Sequence, residues 1–168
     1  MESIIVGFSK PKGWFYPMSW IIRWAEGTAF SHAYIRVRSE SLDRDLVYQA
    51  TGAGVYFIGL PAFKDHYEIV EEYALTVSEE GKKKLLRWAV DNSGKPYGRL
   101  QCLGIGLRRL ALIIGIRIKN PFSNEGEAYV CTELCAQATV EAGIPFNVEK
   151  DDVGLKELVQ HVRVVAAL

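Results

Sequence analysis

The stretch Tyr129-Val130-Cys131-Thr132-Glu133-Leu134-Cys135-Ala136-Gln137-Ala138 decides how the chain is read. Residues 128–130 approach it in β fashion. Downstream lies a strong stop: Gly143 suits the left-handed position after a helix end, and Pro145 forbids continuation. A helix is therefore predicted from near Cys131 to near Ala142. Its side chains are mostly small (Cys135, Ala136, Ala138, Thr139, Ala142), so other backbones can come close, as around a central buried helix. A cysteine in the first turn meets unpaired N–H groups and the positive end of the helix dipole, which favour thiolate over thiol. Such a thiol is primed as a nucleophile if a histidine reaches it. The alternative is a small buried core cysteine, the commonest fate of an unbridged thiol.

With 168 residues, 49% hydrophobic and 24% charged, residues 1–168 suit one globular domain with a real core. Lys+Arg and Asp+Glu balance at 20 each, so no global field favours nucleic acid as a partner. Three cysteines (Cys102, Cys131, Cys135) are odd in number and sparse, which argues against a disulfide scaffold and for a reducing compartment. The opening MESIIVGFSK has no basic n-region and only a short apolar run, so no secretion signal and a cytoplasmic location are expected.

In chain order, Ile4–Phe8 reads as a buried strand. A Pro/Gly loop and a helix over Met18–Ala25 follow, rich in Trp14, Phe15, Tyr16, Trp20 and Trp24. Trp20, Ile21 and Trp24 are at helical spacing and predict a docked face. Most of these aromatics are expected in the core, one or two beside a cleft. Phe30–Val37 alternates as a strand; Leu46–Ala50 and Val55–Ile58 flank the turn Thr51-Gly52-Ala53-Gly54, which together suggest an antiparallel meander. Tyr67–Val77 is a further strand. Ser78, with Glu79 and Glu80 behind it, caps a helix running through Lys82–Val90, whose Lys82, Lys83 and Lys84 read as a solvated face. Leu100–Ile118 is strongly apolar but carries Arg108, Arg109 and Arg117 and three glycines, so a buried or amphipathic helix is expected rather than a membrane span. A last short helix is expected over Leu155–His161.

A thiolate nucleophile needs an imidazole, and the imidazole needs a polar group to orient it. Of the three histidines, His32 sits within the Phe30–Val37 strand, while His66 and His161 read as surface residues. Gln49, on the next strand, is the natural orienting group, because its side-chain oxygen can accept from the distal ring N–H. Without a cysteine, His32 would read as a core histidine bonded to backbone. Zinc held by Cys131, Cys135 and a histidine is a weaker reading, since Cys-x-x-x-Cys on one helix face lacks the usual tight turn and a fourth ligand is not evident. A Ser31–His32 pair is poor because neighbouring strand residues face opposite sides.

Four ordered motifs, Phe30-Ser31-His32-Ala33-Tyr34-Ile35, Val47-Tyr48-Gln49-Ala50-Thr51-Gly52-Ala53-Gly54-Val55, Gly94-Lys95-Pro96-Tyr97-Gly98 and Tyr129-Val130-Cys131-Thr132-Glu133-Leu134, together resemble the permuted NlpC-type, papain-like cysteine peptidase superfamily. The nearest likeness is to its YiiX-like branch of bacterial and phage proteins, with lecithin–retinol acyltransferase more distant. Ordinary members carry the cysteine helix before the histidine strand; the permuted branch reverses that order, as here. The resemblance spans roughly residues 4–161. It implies His32 as base, Cys131 as nucleophile with Thr132 where serine is usual, Gln49 at a third position often held by His or Glu, and Tyr97 lining the site. Tyr97 and Thr132 are the implied substrate-binding positions.

The fold implied is α+β, an antiparallel sheet of five or six strands packed against the Cys131 helix, circularly permuted and papain-like. The chemistry implied is acyl transfer: Cys131 attacks an amide or ester carbonyl, His32 handles the proton, and backbone N–H groups at the helix start hold the oxyanion. It asks for no metal or organic cofactor. Relatives act on cell-wall peptides, isopeptide-type amides or lipid acyl esters. The Trp14–Trp24 region and the Leu100–Ile118 arginines keep a lipid substrate and a membrane surface open as partners. A non-catalytic binding module of the same fold is also open, given Gln49 in place of a charged residue. An origin in a bacterium or phage, with action inside the host cell, is the corresponding expectation.

Overall fold

Alternation along Ile4-Ile5-Val6-Gly7-Phe8 points Ile4, Val6 and Phe8 to one side of a strand, and all three are fully buried. That strand, β1 (Glu2–Pro11), lies between β2 (His32–Ser39) and β5 (Tyr67–Val77). Beyond β2 come β3 (Arg44–Thr51) and β4 (Gly54–Gly59), giving a five-stranded sheet in the order β4-β3-β2-β1-β5. Every pairing is antiparallel. The computed structural model describes residues 2–98, 115, 128–146 and 153–167. Among these are five helices: α1 (Pro17–Glu26), α2 (Leu60–His66), α3 (Glu79–Asn92), α4 (Cys131–Glu141) and α5 (Leu155–Ala166). The protein is α+β, with an antiparallel sheet packed against the helix that begins at Cys131.

Strand alternation divides the core in two. Ala33, Ile35 and Val37 of β2, with Leu75 of β5, meet Leu85 and Ala89 of α3, Leu134, Cys135 and Ala138 of α4, and Leu158 and Val162 of α5. The other face carries a smaller cluster, Tyr34, Val47 and Phe63, roofed by α2. There Tyr34, Gly7 and Glu72 stand in one row across β2, β1 and β5. A Cβ on Gly7 would overlap the Tyr34 ring, so the bare glycine lets that ring cross β1, and its hydroxyl donates to Glu72 Oε1 at 2.7 Å. Arg36 adds a second bond to Glu72, at 2.9 Å.

α1 departs from expectation. The residues it turns inward are Ser19, Ile22 and Glu26, whereas Trp20 and Trp24 are 62% and 70% exposed. In the loop before it, Trp14 is 86% exposed, with Phe15 and Tyr16 also outside. The reason is polar tethering: Ser19 Oγ and Ser31 Oγ lie 2.6 Å apart, and the Lys156 N–H donates to Glu26 Oε2 at 3.5 Å. These bonds fix the polar stripe inward and leave the aromatic stripe outside.

Lys82 is buried rather than solvated, its Nζ donating to Glu2 Oε2 at 2.8 Å. His66 is exposed, as expected, and closes α2. His161 is half-buried, its ring edge-on to Phe146 at 4.4 Å. The expectations for Cys102 and for the apolar stretch 100–118, Gly115 apart, lie outside the described residues. No helix among the described residues is long and apolar enough to cross a membrane.

Candidate active site

His32 is the first residue of β2 and pairs with Ser9 of β1, where the β1–β5 register shifts at Phe8/Ser9. Such irregularities re-aim the side chains beside them. The imidazole points to the α2 face and stacks on Tyr67, ring centroids 5.0 Å apart, with Phe63 stacked behind Tyr67 at 4.8 Å. Its Nε2 lies 2.9 Å from Gln49 Oε1. Amide oxygen only accepts, so Nε2 carries the proton and Nδ1 keeps the lone pair. The Gln49 amide is held in that sense by its own Nε2–H, which donates to Tyr56 Oη at 3.3 Å. Tyr56 stands directly opposite Gln49 in the β3–β4 hairpin. Gln49 is therefore where an orienting group for His32 is needed.

Burial is the dominant influence on the ring. It drives the His32 pKa down to about 4, against a smaller upward pull from the bond to Gln49. At neutral pH the imidazole is uncharged, with its lone pair on Nδ1. A pH dependence of stability follows. The unfolded chain protonates His32 near pH 6.5 and the folded chain only near pH 4, so between these values the unfolded state binds more protons and stability falls as pH falls. We expect a loss of up to about 3 kcal/mol from this group between pH 7 and pH 4. In Gln49→Glu a carboxylate holds the imidazolium, so the loss attributable to His32 should shrink. Urea unfolding across that range, referenced to His32→Gln, measures it; an unchanged loss in Gln49→Glu would mean that residue 49 does not govern the ring.

Cys131 is the first residue of α4, behind Val130 in extended conformation. Glu133 Oε2 accepts from the Val130 N–H at 3.3 Å, the reciprocal half of a capping box. The first-turn amides have no intrahelical acceptor and sit at the positive end of the dipole. The body of α4 packs on the sheet face opposite to His32. A Cβ on Gly81, at the start of α3, would overlap the Ala142 carbonyl, so α4 ends near the beginning of β1, where Lys82 holds Glu2. At its other end, Tyr129 bridges to Tyr97, and Lys95, two residues before Tyr97, accepts from the Val55 N–H at 3.0 Å. Cys131 thus arrives at the end of the sheet where β2 begins and β3 turns into β4. Tyr67 links the two sides: it stacks on His32, and its phenol is pushed up to about 12 by burial first, then by charges at Tyr56 and Cys131.

The thiols differ. Cys131 retains 8% exposure, the same as His32, whereas Cys135 has none and burial raises its pKa well above the ordinary thiol value, the Cys131 charge adding to it. Neither forms a disulfide. A cleft of about 390 Å³ opens at this end of the sheet, walled by His32, Tyr67 and Tyr97 and by Tyr16, Met18 and Ile22 of the α1 region. Tyr97 lines it as the resemblance implies; Cys131 and Thr132 are not in its wall, and Thr132 is buried. Ser31 is in the wall but bonded to Ser19. Among the described residues, no three His, Cys, Asp or Glu side chains gather as metal ligands.

Two neighbours of the site went unread in the sequence. Tyr56 was within reach, since counting outward from the 51–54 turn sets it opposite Gln49. Tyr67 carries no such signal, because its stacking depends on how α2 folds back. No protein-family profile and no curated protein sequence matches this chain.

Proposed function

We propose that the chain is a thiol hydrolase of the circularly permuted, papain-like NlpC type, cleaving an amide bond by acyl transfer through Cys131. The observation that carries the reading is the His32 Nε2–H bond to Gln49 at 2.9 Å, which leaves Nδ1 as a base at the end of the sheet where the Cys131 helix begins. In the reaction, Nδ1 takes the thiol proton as sulfur attacks the carbonyl carbon. First-turn amide N–H groups of α4 donate to the developing oxyanion. The imidazolium returns its proton to the leaving nitrogen, the C–N bond breaks, and a thioester remains on Cys131. Water, deprotonated by His32, releases the acid and restores the thiol. A peptide or isopeptide amide is the first substrate class. A lipid acyl ester is the second, favoured by the apolar α1 wall of the cleft.

An activated acyl ester such as p-nitrophenyl acetate tests the reading without knowledge of the natural substrate. A burst of p-nitrophenol is expected, with one acetyl group found on Cys131 by peptide mass spectrometry. Acetylation of Cys135 or Cys102 instead, or no acyl-enzyme at all, would sink it and leave a binding module of the same fold.

A further inference from the structure

α1 is amphipathic in the inverted sense. A helix on a soluble domain turns its apolar stripe to the core; this one turns Ser19, Ile22 and Glu26 inward and shows Met18, Trp20, Ile21 and Trp24 to solvent. Trp14 and Phe15 extend the patch, packed edge-on to each other at 5.9 Å. An exposed apolar face of this size marks a surface that something covers.

Charge identifies what that is. From Ser3 to Ala25 there is no Asp or Glu, while Lys10, Lys12 and Arg23 are present in a chain whose overall charge is zero. Lys10 is paired with Glu68 at 3.1 Å, leaving Lys12 at the loop and Arg23 over the Trp20 ring at 5.6 Å. A second copy meeting this face with its own residues 3–25 would bring Lys12 and Arg23 again and no carboxylate to meet them. An anionic bilayer supplies the complement to both halves: headgroups for the cations, and the interfacial zone, where Trp and Tyr concentrate, for the rings.

We infer that the outer face of α1 and the loop before it dock on the interface of an anionic lipid bilayer. The same helix walls the cleft through Met18 and Ile22, and Tyr16 at the helix start joins them, so docking turns the mouth of the cleft toward the lipid. The docking stands apart from the hydrolase reading; only its corollary, that the scissile group belongs to a lipid, rests on that reading.

Flotation with vesicles of phosphatidylcholine alone and with 30 mol% phosphatidylserine tests it. Binding is expected to be about tenfold tighter to the anionic vesicles and to weaken as salt rises. Trp20→Ala/Trp24→Ala should reduce it by about tenfold or more, the loss of two interfacial anchors. Both side chains are exposed and outside the cleft wall, so that variant keeps its fold, checked by circular dichroism. Cys131→Ala should bind vesicles as the unaltered chain does, which separates failure of docking from failure of the chemistry. Absence of binding to both vesicle types overturns the proposal. So does a dimer in sedimentation that Trp20→Ala/Trp24→Ala converts to monomer, because a second copy is then the occupant.

Discussion

Cys131→Ala is expected to lower turnover of the activated ester by about a thousandfold or more, and His32→Ala to come close to the same loss. In the proposed mechanism sulfur and imidazole act as one unit, so the double variant should be no worse than Cys131→Ala alone. Gln49→Ala belongs to the same series with a smaller effect, about tenfold, since the amide sets the tautomer and aim of the ring and carries no charge to the reaction. Steady-state kinetics on the four proteins decides the matter. Additive losses in the double variant would mean that Cys131 and His32 do not share a step.

The second large effect is on stability and arises far from the cleft. Gly81, in the first turn of α3, has the Ala142 carbonyl where its Cβ would be, and that atom is backbone, unable to swing away. Gly81→Ala must therefore push α3 and the end of α4 apart, against a fully buried layer that includes Leu85 and Leu134. A destabilisation of about 3 kcal/mol is expected, with a fall in Tm of about 6–12 °C for a chain of this length. Gly59→Ala is the control. Its Cβ would meet only Pro61 Cδ, at an ordinary 3.8 Å, and should change stability by less than about 1 kcal/mol. Equal effects for the two glycines would show that the α3–α4 contact is not tight.

What could be read beforehand was whatever local chemistry dictates. Tyr67–Val77 is a strand with the bounds expected of it, and Ser78 caps α3 with its hydroxyl accepting from the Gly81 N–H at 2.9 Å. The helix from Cys131 is legible because Gly143 and Pro145 end it, and Gly143 does adopt positive φ, at 89°. The His32–Gln49 pair follows from two adjacent strands and the acceptor an imidazole needs. What failed depended on distant partners. α2 is too short, at seven residues, to display a helical period. The spacing of Trp20, Ile21 and Trp24 correctly signals one helix face, yet spacing cannot say which side the sheet lies on. That depends on Ser31, just before β2, and on the Lys156 amide, 130 residues beyond Glu26. Lys82 is buried for a similar reason, its partner Glu2 standing 80 residues earlier in the chain.

The row formed by Tyr34, Gly7 and Glu72 also bears on the order in which the chain can assemble. β1 is made first, yet its second neighbour, β5, is complete only at Val77. Synthesis at about 5–20 residues per second therefore leaves one edge of β1 without a partner for several seconds or more. The β2-β3-β4 meander joins strands close in sequence and can form early. Closure by β5 joins distant ones and comes late, when Glu72 meets the hydroxyl already waiting across Gly7. In that interval the nascent chain shows an open strand edge rich in isoleucine and valine, the kind of edge that recruits other chains. Refolding from denaturant should accordingly be most sensitive to concentration before β5 docks.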